Sequence, residues 1–250
     1  MIRPAHTALA SLAFLAACGS VPESIVASTQ SLLPTLFSSA ASVSGGLPEG
    51  WKIYRLFRFK PLTEYELVRD GGTQVVHAKA QSSASGLEQP VSVDLRDYPV
   101  AEWRWRVPRL IPGADNTQPS QADAPARVIF VFEGGRDRLP PSEVLNYDLA
   151  KALTGNALPY ATLMYIWEAD RKEGEIITHY NTTRVKMVVA GNSRRDLTRW
   201  HEARVNVLED YRRAFGEEPP RVKSVGIMSD SDNTGSSIEA FFGDIRFRKE

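Results

Sequence analysis

Cysteine is the scarcest chemical resource in this chain of 250 residues: there is one, Cys18. A lone thiol excludes an intramolecular disulfide and a multi-cysteine metal site. Histidine is nearly as scarce, with His6 in the leader and only His77, His179 and His201 beyond it. These three form no close pair and no H-E-x-x-H, so zinc hydrolysis has no ligand pattern to rest on. A nucleophile elbow is missing too, because GNSRR (Gly191 to Arg195) fails the G-x-S-x-G pattern at its last position. Charge of one sign does not accumulate: 30 basic residues face 30 acidic ones. That balance gives no long-range attraction to nucleic acid or anionic lipid, and no nucleic-acid partner is expected. No apolar run approaches the roughly 20 residues that span a bilayer, and no 20 to 50 residue repeat is found.

What is present begins at the N-terminus. Arg3 precedes the run ALASLAFLAA (Ala8 to Ala17), which leads directly into Cys18. The pattern predicts a signal peptide over residues 1–17. LAAC (Leu15 to Cys18) is similar to a bacterial lipoprotein signal, which implies that Cys18 is acylated and becomes the mature N-terminus. Each buried methylene of an acyl chain contributes about 0.8 kcal/mol, so several chains on one Cys hold a soluble domain on a membrane. Gly19 follows, and lipoproteins whose second residue is not Asp imply an outer-membrane, periplasm-facing location. Residues 18–46, rich in Ser, Ala and small apolar residues, are expected to be a lipidated tether.

Residues 47–250 are expected to form one domain. Strand-like segments recur from WKIYRLFRF (Trp51 to Phe59) through Val100 to Val107, RVIFVF (Arg127 to Phe132), Ala161 to Trp167 and Val222 to Met228, to Ile238 to Phe247. Each is short and bounded by turn residues, which predicts an all-β chain folded as a jelly-roll-like β-sandwich. The unbroken apolar run in RVIFVF predicts a central strand buried on both faces. One short helix is predicted near residues 208–215, where Leu208, Tyr211 and Phe215 share a face and Gly216 with Pro219 ends it. SEVLNYDLA (Ser142 to Ala150) reads equally as helix or strand.

Two polar stretches echo each other, ADNT (Ala114 to Thr117) and SDNT (Ser231 to Thr234), the second inside IMSDSDNTG. An EF-hand fails here because its twelfth position is Phe241 instead of Glu. The turn reading is local: Asp and Asn side chains hydrogen-bond the backbone and Gly235 supplies a positive φ. A polar binding rim is the functional reading. WRWRV (Trp103 to Val107), GADNT (Gly113 to Thr117), ARV (Ala126 to Val128), LNY (Leu145 to Tyr147), FGEEPP (Phe215 to Pro220), IMSDSDNTG and FGDIRF (Phe242 to Phe247) occur in an order that resembles the domain of unknown function 3047 family. That resemblance implies no established activity. The closing FGDI strand is similar to the last strand of galactose-binding-like and carbohydrate-binding jelly rolls.

The candidate rim comprises Asp115, Asn116, Asp230, Asp232 and Asn233, with Trp103, Trp105, Arg104 and Arg106 from the alternating WRWR strand. Trp51, Trp167 and Tyr160 are candidate platforms for sugar rings. No cofactor is implied; calcium is the one ion an oxygen-rich site would take, with Asp230, Asp232 and Asp244 as its candidates. The expected function is a lipid-anchored envelope module that binds a glycan, another polyhydroxylated ligand or another envelope component, with binding favoured over catalysis. A glycan-acting hydrolase using paired carboxylates and a structural lipoprotein without a small ligand are the alternatives.

The anchor is directly testable. Cys18→Ala is expected to release the protein from the membrane fraction or leave it unprocessed, read by fractionation and mass. A processed, membrane-bound variant would end the lipoprotein reading.

Overall fold

A computed structural model describes residues 32–43, 46–56, 59–154 and 158–250. The signal peptide, Cys18 and the first part of the tether lie outside the described residues. The strands are β1 (Lys52–Arg55), β2 (Glu64–Asp70), β3 (Thr73–Gln81), β4 (Ala84–Val93), β5 (Val100–Arg106), β6 (Arg127–Phe132), β7 (Ala161–Trp167), β8 (Ile176–Thr178), β9 (Val185–Gly191), β10 (His201–Asn206), β11 (Val222–Asp230), β12 (Ser237–Phe242) and β13 (Arg246–Arg248). Two helices join them, α1 (Pro141–Thr154) and α2 (Val207–Phe215). One sheet has the order β1-β4-β11-β6-β7-β9-β8 and the other β10-β5-β12-β3-β2, with β13 also on β5. Pairing is antiparallel except between β7 and β9. Among the described residues no helix is long and apolar enough to cross a membrane.

Period-two alternation assigns the faces. On β5, Trp103 and Trp105 turn inward and are buried, while Arg104 and Arg106 turn outward. The two tryptophans tie the sheets together: Trp105 meets Trp167 of β7 edge-on at 5.8 Å, and Trp103 lies 5.2 Å from Tyr165. RVIFVF is the central strand β6, fully buried on its inner face through Val128, Phe130 and Phe132, but its outward Ile129 and Val131 are only half-buried. Burial on both faces is therefore corrected to burial on one.

The predicted helix is α2, one residue longer at its start. Asn206 caps it by accepting from the Glu209 N–H at 3.0 Å, and Gly216 ends it at φ +71°. Tyr211 docks it on Phe132 at 4.4 Å. The single-helix expectation is corrected by α1, whose Pro141 suits a first helical turn. Val144 and Tyr147, three apart, pack on the core, and the buried Glu143 carboxylate accepts from Thr182 Oγ1 at 2.7 Å and the Thr183 N–H at 2.8 Å.

Two boundaries also move. The expected strand from Ile238 to Phe247 breaks into β12 and β13, which pair with successive parts of β5. Gly243 makes the break: its N–H donates to Arg104 O at 2.8 Å, and a Cβ there would lie 2.6 Å from Arg104 Cγ. Within the segment expected as a tether, residues 37–40 pack on the sandwich: Phe37 is fully buried against Trp51 at 4.7 Å and Gln74 Nε2 donates to Phe37 O and Ala40 O.

Phe130 contacts Tyr165 at 5.7 Å and Phe247 at 5.5 Å from the middle of the core. Phe130→Ala is expected to lower stability by about 3 to 5 kcal/mol. An unchanged thermal midpoint would contradict this packing.

Candidate functional site

The two D-N-T stretches meet at one end of the sandwich, and the residue that joins them is Arg127. It opens β6 opposite Met228 of β11, and Asp230 lies two positions on, on the same outward face. The guanidinium is bidentate on Asp230, with Nε to Oδ1 at 2.8 Å and Nη2 to Oδ2 at 3.0 Å. It also donates to Asn116 Oδ1 and Ala122 O, both at 2.9 Å, and to Met187 Sδ at 3.3 Å. Burial opposes the charge of Arg127, but the facing carboxylates of Asp230, Asp123 and Glu168 outweigh it and raise its pKa.

Asn116 extends the network: its Nδ2 donates to Glu168 Oε2 at 2.8 Å and to Asp123 O at 3.1 Å. The Asp123 carboxylate in turn holds the second stretch. Its Oδ1 accepts from the N–H and Nδ2 of Asn233 at 3.2 and 3.1 Å, and its Oδ2 accepts from the N–H and Oγ1 of Thr234, both at 2.7 Å. Gly235 follows with φ +68° and closes the turn.

The echo in sequence is not an echo in geometry. Asp115 caps its own stretch, accepting from the Thr117 N–H at 2.9 Å and Thr117 Oγ1 at 2.7 Å, and these bonds lower its pKa. In the second stretch that role passes to the distant Asp123, while Asp232 pairs with Lys60. Asn116 is fully buried, whereas Asn233 is exposed. Asp115, Asn116, Asp230, Asp232 and Asn233 thus share one end, but Asn116 and Asp230 stand behind its surface.

The remaining rim candidates fall elsewhere. Trp103 and Trp105 are core residues, because the inner face of β5 is the dry interior between the sheets. Arg104 and Arg106 lie on the outer face of the other sheet, and their charges are used there. Arg104 sits 4.5 Å over Trp200, and Arg106 sits 4.1 Å over Phe241 and pairs with Asp70 at 3.1 Å. Trp51, Tyr160 and Trp167 are each at least nine-tenths buried and offer no open ring face.

Acidic oxygens of Asp123, Asp230 and Asp232 lie within 4.8 Å of one another. Their charge is already answered by Arg127, Lys60 and the four donors on Asp123. Asp244 is not part of this group; it accepts from the Ser38 N–H at 2.8 Å and from Arg246 at 2.6 Å. Nearby, burial and the charge of Arg127 push the His179 pKa down to about 4, so this imidazole is neutral at neutral pH.

Beside the network is an open cavity of about 300 Å³. Ile111, Pro112 and Trp167 form apolar walls, and Glu168, Asp170 and Arg194 bring charge, with Gly113, Ala114 and Asp123 completing the side next to the first D-N-T stretch. Glu168 is 5% exposed, and among the described residues the one hydrogen bond to its carboxylate is the bond from Asn116 to Oε2. Trp167 is 1% exposed and its indole N–H has no partner. Asp170 and Arg194 pair with each other at the surface.

Sequence reasoning did not single out Arg127, Asp123 or Glu168. Arg127 carries a readable signal, a charge opening a central apolar strand, which demands a buried carboxylate partner. Asp123 and Glu168 carry none, because each sits alone among loop residues.

Two packed sheets with a loop-built polar end define a β-sandwich of the jelly-roll kind. The chain belongs to the family described as protein of unknown function (DUF3047), whose model matches residues 49–246. No curated protein matches it. Solved structures similar in arrangement include the family 11 carbohydrate-binding module of the cellulosomal cellulase Lic26A-Cel5E of Clostridium thermocellum, at 8% identity and a TM-score of 0.43, covering 87% of this chain and 95% of that one. The xyloglucanase domain of NopAA, a type three effector from Sinorhizobium fredii, has 6% identity and a TM-score of 0.42, covering 86% and 100%. The K1 cleaved adhesin domain of Lys-gingipain from Porphyromonas gingivalis W83 has 8% identity and a TM-score of 0.37, covering 86% and 96%.

The buried pair sets a prediction. Asp230→Ala leaves the Arg127 guanidinium buried without its carboxylate and is expected to lower stability by about 3 to 5 kcal/mol. Replacing both, Arg127→Met with Asp230→Leu, is expected to regain most of that loss in urea denaturation. A single variant as stable as the parent would show the pair to be energetically idle.

Proposed function

We propose that the chain is a lipid-anchored module of the cell envelope that binds a hydroxyl-rich ligand, such as a glycan, in the end cavity. The observation that carries this reading is the end cavity, where the Glu168 carboxylate, bonded through Oε2 to Asn116, stands beside the apolar walls of Ile111, Pro112 and Trp167. A sugar hydroxyl donates to the other Glu168 oxygen, and the apolar walls suit the C–H face of a sugar ring. A volume of about 300 Å³ lies at the lower end of small-ligand sites, which run from roughly 300 to 1,000 Å³. The leader ending in Cys18 supports the anchor and, with Gly19, an outer-membrane location facing the periplasm.

Binding is favoured over catalysis because the second acid a hydrolase needs is committed. Both oxygens of Asp123 are taken by Asn233 and Thr234, and Asp170 is paired with Arg194.

Calorimetric titration with oligosaccharides prepared from envelope glycans tests the proposal. Glu168→Ala removes the acceptor; losing one hydrogen bond of about 1 kcal/mol is expected to weaken binding about fivefold in a variant that remains folded by circular dichroism. Failure of every oligosaccharide and polyol to bind would end the reading, as would binding that ignores Glu168→Ala. New reducing ends released from a bound glycan would replace it with the hydrolase.

A further inference from the structure

The proposed ligand class is broad, and the charges around the cavity narrow it. Three carboxylates, Asp123, Glu168 and Asp170, line it against one cation, Arg194. Their availability differs. Asp123 has four donors on its two oxygens, and Asp170 is bonded to Arg194 at the mouth. Glu168 alone combines deep burial with an oxygen that has no described partner, and it stands between the apolar walls of Ile111, Pro112 and Trp167.

Glu168 is only 5% exposed, so the chemistry of the group placed against it weighs heavily in the binding energy. A neutral hydroxyl gives an ordinary hydrogen bond. An ammonium gives a charge-assisted one, about twice as strong. A carboxylate or sulfate would place like charges together, which costs several kcal/mol at a desolvated interface. Arg194 does not reverse this order, because Asp170 already neutralises it.

Resting on the hydroxyl-rich reading of this cavity, we infer that its preferred ligand carries a primary amine, as in a glycan containing a free hexosamine, and that Glu168 is the specificity-determining residue. The amine donates to Glu168 Oε1, and the sugar ring that carries it lies against the apolar walls. Uronic and sulfated sugars are disfavoured at the same place.

The test compares three probes of equal length on the full chain at pH 6: a glucosamine oligosaccharide, a neutral glucose oligosaccharide and a galacturonate oligosaccharide. The expected order is amine, then neutral, then acidic, with the amine about tenfold tighter than the neutral probe. Glu168→Gln keeps an acceptor for Asn116 and is expected to bring amine and neutral probes to parity while neutral binding persists. Arg194→Ala, at an exposed position, frees Asp170 and is expected to widen the amine preference, so the proposal remains testable if Glu168→Gln does not fold. Equal binding of amine and neutral probes by the parent overturns the inference alone and leaves the hydroxyl-rich reading standing. Tighter binding of the acidic probe, or an unchanged amine preference in a folded Glu168→Gln, also overturns it. No binding by any probe overturns both.

Discussion

Burying a guanidinium is the constraint around which one end of this sandwich is organised. Arg127 lies on the central strand of the larger sheet, where 4% exposure leaves it almost no water. Each of its donors must therefore find an acceptor from the protein. Asp230 supplies two oxygens, Asn116 and Ala122 one each, and Met187 a sulfur. Those partners come from the adjacent strand β11, from β9 two strands away on the other side, and from the loop before β6, so meeting one charge fixes three separate pieces of chain. Buried ion pairs are weak evidence for net stability, since well-packed apolar residues of similar volume are often as good. Their value here is positional: only one register of loop and strand satisfies the fork.

That fixation propagates to the surface in two steps. Asn116, held by Arg127 through its carbonyl oxygen, uses its amide to hold Glu168 and the backbone of Asp123. Asp123 then grips the backbone of Asn233 and Thr234, which sets the turn beyond β11. The cavity wall containing Glu168 is in this way attached to the core by hydrogen bonds of defined direction. A site built so is preorganised, and little ordering entropy remains to be lost when a ligand enters.

The sequence was legible where one residue type has one physical outcome. The alternating WRWR run was legible as a strand, although its tryptophans, expected at the rim, are core residues, and the Gly216 stop after Leu208 to Phe215 placed a helix end correctly. It was misleading where two outcomes share a pattern. A continuous run from Ile238 to Phe247 reads as one strand, yet the contact between Gly243 and Arg104 bends it into two. The repeated D-N-T predicted equivalent turns, but which carboxylate caps a threonine depends on what the fold brings near. Thr117 is capped by its own Asp115, and Thr234 by Asp123, 111 residues away. Long-range partners of this kind leave no local trace.

The two places where the chain concentrates charge also differ in kind. On the outer face of the smaller sheet the polar groups of three side chains are used internally: Arg104 and Arg106 lie over Trp200 and Phe241, Arg106 pairs with Asp70, and His77 stacks on Phe241 while bonded to Glu239. Such a face is stitched to itself, and a ligand would have to break contacts to bind. At the loop-built end such contacts answer Asp123, Asp230 and Asp232, whereas Glu168 keeps one oxygen with no described partner beside the cavity. That oxygen and the apolar walls around it, rather than the number of acids nearby, are what separate a binding cavity from a structural cluster.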